Sequence, residues 1–85
     1  MEAIRINPKD DDAFFRRGDC WHALLDYAKA IDDYTEAIRL NPQNARAFYG
    51  RGFARDALGD EERAKADIAE ARRLEPENRD FDDEP

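Results

Sequence analysis

The stretch EAIRLNP at residues 36–42 repeats EAIRINP at residues 2–8, and the two are 34 residues apart. A further proline, Pro76, continues the same spacing. The residues between these points align without gaps, so that AFFRRG at residues 13–18 matches AFYGRG at residues 47–52. A fixed period of roughly 20–50 residues is typical of arrays of stacked structural units. The sequence therefore predicts a repeat protein with a 34-residue unit.

Apolar residues recur within each unit at intervals of three and four, which is the period of an α-helix with one buried face. The pattern predicts two helices in each unit, near residues 11–24, 27–40, 45–58 and 61–74. Residues that favour helix ends agree with these limits: Asp26, Asn44 and Asp60 as N-caps, and Asn41 and Gly59 near C-termini. The predicted core face of the first helix comprises Phe14, Gly18, Trp21 and Leu24 or Leu25. Each unit is therefore predicted to form a helical hairpin.

Several positions of the first unit carry the residue types of a known repeat: Phe14, Gly18, Trp21, Ala30, Tyr34, Ala37 and Pro42. Through them the chain resembles the tetratricopeptide repeat (TPR) family. The second unit matches less well, since Arg55 stands where Trp21 does and Ile68 where Tyr34 does. The resemblance implies an all-α fold of two stacked antiparallel helical hairpins, as in a TPR solenoid. It also implies a scaffold that binds proteins, without catalysis and without a cofactor.

The same resemblance divides the chain into four parts. They are the tail of a preceding repeat's second helix (1–7), a first repeat (8–41), a second repeat (42–75) and a flexible acidic C-terminal tail (76–85). Ile31 and Ile38 of the first repeat are replaced by Lys65 and Arg72 in the second, so the array is expected to end there. Phe81 and the tail are expected either to fold back or to be disordered.

A pair of opposite charges recurs with the repeat. Arg17 and Asp33 have the same spacing as Arg51 and Asp67. An arginine on the first helix that faces an aspartate on the second can form a bidentate ion pair. We expect these pairs to be structural and to fix the register of each hairpin.

The resemblance places ligands in a concave groove lined by the first helix of each repeat. The candidate residues are Phe15, Arg16, Asp19 and His22 from the first repeat and Arg46, Tyr49, Phe53 and Asp56 from the second. Asp12 and Gly50 map to the same surface. Phe15, Tyr49 and Phe53 lie outside the predicted core faces and could anchor a peptide. The alternative is that they only pack against the adjacent helix.

Some TPR domains hold the C-terminal carboxylate of a heat-shock chaperone with lysine and asparagine in this groove. Here Phe15, Asp19 and Gly50 occupy three of those places. None of these side chains can bind a carboxylate, and Asp19 would repel one. We therefore expect a peptide or protein partner of another kind. The alternatives are self-assembly into a weak homo-oligomer through an incomplete N-terminal face, and an accessory domain of a larger protein.

Charge and composition argue against other classes of function. The net charge is -7, whereas affinity for nucleic acid depends on clustered lysine and arginine. No apolar stretch is long enough for a membrane span. Cys20 and His22 point about 200° apart on a helix, so they do not predict a metal site. The chain contains no serine, and its single histidine lacks partners for catalysis. The single cysteine suggests a reducing, cytoplasmic location.

Overall fold

Four helices make up most of the structure, a computed structural model that describes residues 8–82. They are α1 (Asp11–Ala23), α2 (Tyr27–Leu40), α3 (Ala45–Ala57) and α4 (Glu61–Leu74), and a 3₁₀ turn follows at Arg79–Asp82. Residues 8–82 contain no β-strand, and none of their helices is long and apolar enough to cross a membrane. The predicted all-α fold is confirmed. Residues 1–7, which were predicted to be the end of an earlier helix, lie outside the described range. The limits of the two repeats stay a prediction.

Each helix begins at a side chain that caps it. The N-caps are Asp10, Asp26, Asn44 and Asp60, and each accepts a hydrogen bond from the backbone N–H three residues ahead. These bonds satisfy donors that the first turn of a helix leaves without an intrahelical partner. The predicted caps Asp26, Asn44 and Asp60 are confirmed, and they mark where α2, α3 and α4 begin.

The helices form two stacked hairpins. Helix α1 packs against α2, α3 packs against α4, and α2 packs against α3 where the hairpins meet. Tyr34 is fully buried at that junction, among alanines that are also fully buried: Ala30, Ala37, Ala47 and Ala54. A Cβ atom on Gly18 would lie 2.8 Å from the Tyr34 ring, and one on Gly50 would lie 2.6 Å from it. The small residues therefore make the space that this one large ring fills.

Both predicted ion pairs are present. Arg17 Nε lies 2.7 Å and Nη2 2.8 Å from the carboxylate of Asp33, and Arg51 makes the matching bonds to Asp67 at 3.0 and 2.8 Å. The two aspartates are 6% and 4% exposed. Asp67 also accepts a bond of 2.8 Å from Nη1 of Arg55, the residue that stands where Trp21 does. The second hairpin thus gains a second cation where it lacks the aromatic ring.

The predicted flexible tail is wrong for residues 76–82, which fold back onto α3 and α4. Phe81 is 2% exposed and packs against Ala45 and Ala71. Its ring centroid lies 4.6 Å from that of Tyr49, and its carbonyl accepts a 2.6 Å hydrogen bond from Arg72 Nε. Burial of a phenylalanine side chain contributes about 1.5–3 kcal/mol, which offsets part of the cost of ordering this short segment. Of the two alternatives for Phe81, folding back is the one observed.

The predicted core face of α1 is wrong at its C-terminal end, where Leu24 or Leu25 was expected to be buried. Leu24 and Leu25 are 63% and 70% exposed, because α1 ends at Ala23 and the chain reverses there. Leu25 and Gly59 occupy matching positions, and both adopt left-handed backbone, with φ of 63° and 87°. This conformation costs a residue with a Cβ about 1–2 kcal/mol but costs glycine little.

We expect Leu25→Gly to raise the free energy of unfolding by about 0.5–1 kcal/mol. The strain is relieved, little packing is lost, and the greater freedom of glycine in the unfolded chain offsets part of the gain. Urea unfolding followed by circular dichroism measures the change. The matched control is Leu24→Gly, because Leu24 is similarly exposed but has φ of -86° and should gain nothing. A Leu25→Gly protein no more stable than the wild type would contradict the strain argument.

Candidate functional site

A cavity of about 360 Å³ lies between α1 and α3. Most of the predicted groove residues line it: Phe15, Asp19 and His22 on α1, and Arg46, Tyr49 and Phe53 on α3. Their spacing of three and four residues puts them on one face of each helix. Gly50, which maps to the same surface, also lines it. The structure therefore brings six of the eight predicted site residues together in one place.

Two predicted residues, Arg16 and Asp56, do not line the cavity. Arg16 follows Phe15 and so points about 100° further round α1, where its Nε lies 2.8 Å from Asp12. Both side chains of that pair are largely exposed, so the pair is a solvated one. Asp56 is half-buried in the last turn of α3, although its counterpart His22 reaches the cavity. These two predicted site residues thus lie outside the cavity, and their role in binding stays a prediction.

Three cavity residues, Tyr34, Asn78 and Phe81, were not among the predicted site residues. Tyr34 is a core residue by its ring, but its hydroxyl reaches the cavity and donates a hydrogen bond to Oδ1 of Asp19. Burial raises the pKa of the Tyr34 phenol well above its ordinary value, and the bond to Asp19 adds to this effect. The signal in the sequence is the pair Gly18 and Gly50, which leaves a path for the ring between α1 and α3.

The aromatic residues of the cavity contact one another in two groups. Phe15 lies against Tyr34 with 6.0 Å between centroids, and Tyr49 lies edge-on against Phe53 at 4.7 Å. Phe81 covers another side of Tyr49. Such contacts hold the rings in place and reduce the freedom that they would lose on binding. The groove aromatics therefore pack against neighbours and line the cavity at the same time.

The charged groups of the cavity are few and differ in their contacts. Asp19 is exposed and is held by Tyr34, whereas Arg46 is exposed and makes no ion pair with the part of the chain that is described. His22 rests against Tyr27, with 5.4 Å between the ring centroids. Within residues 8–82, no three His, Cys, Asp or Glu side chains form a group that could hold a metal ion. The arrangement offers apolar contact and hydrogen bonds to a ligand.

Comparisons with known proteins agree with this architecture. Two sequence models of the tetratricopeptide repeat match the chain, one over residues 11–44 and the other over residues 33–66. Comparison with curated protein sequences gave no match.

Solved structures give a more detailed likeness. One is described as the first TPR of Spaghetti (RPAP3) bound to the HSP90 peptide SRMEEVD, and it matches with a TM-score of 0.86 and 32% sequence identity. The match covers 89% of this chain but 60% of the other, so this chain spans less than two thirds of that protein. That TPR domain binds a peptide. With the repeat period, the stacked hairpins and these matches, the chain belongs to the tetratricopeptide repeat family.

Proposed function

We propose that the cavity between α1 and α3 binds a peptide segment of a partner protein. The observation that carries this proposal is the set of half-buried rings, Phe15, Tyr49 and Phe53, beside the exposed polar groups of Asp19 and Arg46. A concave site with apolar walls and a few fixed polar groups is the common form of a binding pocket. Because the array is small, we expect Kd in roughly the micromolar range or above.

We further propose that this groove does not hold a peptide by its C-terminal carboxylate. The solved neighbour binds SRMEEVD, which ends in aspartate. In this chain the carboxylate of Asp19 is fixed in the cavity by Tyr34, and Gly50 provides no side-chain donor. A terminal carboxylate near Asp19 would meet like charge, and Arg46 alone would have to balance it.

Fluorescence anisotropy with labelled SRMEEVD tests this second part directly. The peptide is compared with the same sequence carrying a C-terminal amide. We expect weak binding, with less than about a twofold difference between the two forms, because no group grips the terminus. Tight binding that is lost on amidation would contradict the proposal and would place the chain with the carboxylate-binding TPR domains.

Tyr49→Ala tests the groove itself. Peptides selected by phage display on the immobilised chain serve as probes, and titration calorimetry measures their affinity. We expect the substitution to weaken binding about tenfold or more, as for an interface anchor, while the helical circular dichroism is retained. Leu58→Ala is the matched control, since Leu58 is 57% exposed at a hairpin turn outside the cavity. Equal affinities for both variants would contradict binding at Tyr49.

A second candidate function is self-assembly through α1. Helix α1 buries only Gly18, whereas each of the other three α-helices buries four residues. An open helix face is a possible contact for a second copy of the chain. Sedimentation equilibrium of the chain with and without residues 1–7 tests this candidate. A monomer at high concentration in both cases would exclude it.

A further inference from the structure

The carboxylate of Asp19 is the most firmly oriented charge in the cavity. Its Oδ1 accepts a hydrogen bond from the Tyr34 hydroxyl. The ring of Tyr34 is fully buried and fits between Gly18 and Gly50, where added Cβ atoms would lie 2.8 and 2.6 Å from it. Because that ring cannot shift, the hydroxyl holds Asp19 in one orientation.

Most of the hydrogen-bonding capacity of Asp19 remains open to a ligand. A carboxylate has two oxygens with about four acceptor positions, and Tyr34 takes one of them. Asp19 is exposed, and within residues 8–82 Tyr34 is its one hydrogen-bond partner. A donor that enters the cavity therefore finds a carboxylate acceptor already in position, without the entropy cost of fixing it.

The surroundings of Asp19 favour a cation. Phe15 and Tyr49 line the same cavity, and aromatic faces attract a guanidinium or ammonium group. Apart from the tyrosines, the other ionisable side chains that line it are those of His22 and Arg46. Arg46 is exposed and has no partner in the described chain, so it can turn to solvent when a cation enters. The net charge of -7 would also attract a basic segment over longer distances.

We infer that the partner segment places an arginine or lysine side chain against Asp19 in this cavity. The inference rests on the proposed peptide-binding function and names the chemistry of its partner. Arginine fits better than lysine, because a planar guanidinium can donate to the carboxylate while it stacks on an aromatic ring. The peptide SRMEEVD of the solved neighbour carries one arginine but is acidic overall.

The test is a double-mutant cycle on peptides that phage display selects on the wild-type chain and that chemical-shift mapping locates in the cavity. Each is synthesised with its basic residue as arginine and as citrulline, which keeps the shape and removes the charge. On the wild type, citrulline should weaken binding about tenfold. On Asp19→Asn the two peptides should differ by less than about twofold, because the charged partner is gone.

Two more variants distinguish a specific effect of Asp19 in the cavity from a general effect of charge or of structure. Asp32→Asn makes the same charge change at an exposed position of α2 outside the cavity, and it should leave the arginine preference intact. Tyr34→Phe keeps the buried ring but releases Asp19. It should reduce affinity for the arginine peptide by roughly threefold, because binding must then fix the Asp19 side chain, and leave affinity for the citrulline peptide unchanged. If Tyr34→Phe only disturbed the structure of the cavity, the affinities for both peptides would fall alike.

The outcomes distinguish this inference from the function on which it rests. Peptides that bind in the cavity without a basic residue, or an arginine preference that survives Asp19→Asn, would overturn the inference and leave the groove function intact. Peptides that bind only outside the cavity, or no selected peptide at all, would overturn both. Selection of basic peptides whose preference depends on Asp19 supports both.

Discussion

Tyr34→Ala is expected to lower the free energy of unfolding by about 3–5 kcal/mol, as for other large aromatic side chains removed from a core. Tyr34 is fully buried at the contact between the two hairpins, so its loss leaves a cavity between α1, α2 and α3. A domain of this size is stable by only about 5–15 kcal/mol. The variant should therefore be largely unfolded at a temperature where the wild type is folded.

Thermal and urea unfolding by circular dichroism measure this loss. Tyr27→Ala is the matched control, because Tyr27 lies in the same helix but is half-buried. We expect that control to cost less than half as much. Equal losses at the two positions would contradict the role of Tyr34 at the junction of the hairpins.

The raised pKa of Tyr34 adds a dependence on pH. Above pH 10, the ordinary value, the phenol ionises in the unfolded chain but stays protonated in the folded one. The folded state then binds more protons, so stability falls as pH rises through this range. Tyr34→Phe keeps the ring and should reduce this loss of folding stability at alkaline pH. An unchanged loss would contradict the raised pKa of Tyr34.

Asp67→Ala is expected to lower the free energy of unfolding by about 2–4 kcal/mol, because it leaves two arginines without their acceptor. The side chains of Arg51 and Arg55 are 13% and 19% exposed, and both donate to Asp67. Neither can recover full hydration without moving. Urea unfolding measures the loss, and Asp67→Asn, which keeps the shape, isolates the part due to charge.

Asp33→Ala is the natural comparison for this prediction. Asp33 has one arginine partner, Arg17, whose side chain is 31% exposed and therefore closer to water. We expect about half the loss found for Asp67→Ala. A larger loss at Asp33 would show that Arg55 does not take part in the pair of the second hairpin.

The repeat made most of the fold predictable. Because two copies of one pattern can be compared, the helix limits come out within one residue, and Arg17 and Asp33 can be recognised as a pair by their recurrence in the second copy. The comparison also flagged Arg55 as a departure from Trp21. It did not reveal that Arg55 binds Asp67, since Trp21 stands in the place of Arg55 in the first hairpin and the contact therefore has no counterpart there.

The fold of the C-terminal segment was not predictable by the same comparison. Phe81 matches Ala47 in the 34-residue register, and nothing about an alanine predicts a buried ring at its place. The physical reason lies in tertiary contact. Ile68 is shorter than Tyr34, its counterpart, so the ring that covers Tyr49 comes from Phe81 rather than from the second helix of the repeat.

The site was predictable in outline and not in detail. Helix periodicity and the family resemblance place Phe15, Tyr49 and Phe53 on one surface, where the structure has them. The position of the Tyr34 hydroxyl beside Asp19 depends on how closely α1 and α3 approach, which a pattern along the chain does not give. Residues contributed through tertiary contact are the ones that sequence reasoning missed.

Chemical-shift mapping of the ¹⁵N-labelled chain with a selected peptide tests the central claim most directly. The largest perturbations are expected at Phe15, Asp19, Tyr49 and Phe53, with little change on the exposed faces of α2 and α4. Perturbations centred on Asp32, Lys65 or the hairpin turns, with the cavity residues unchanged, would show that the partner binds elsewhere and would contradict the account.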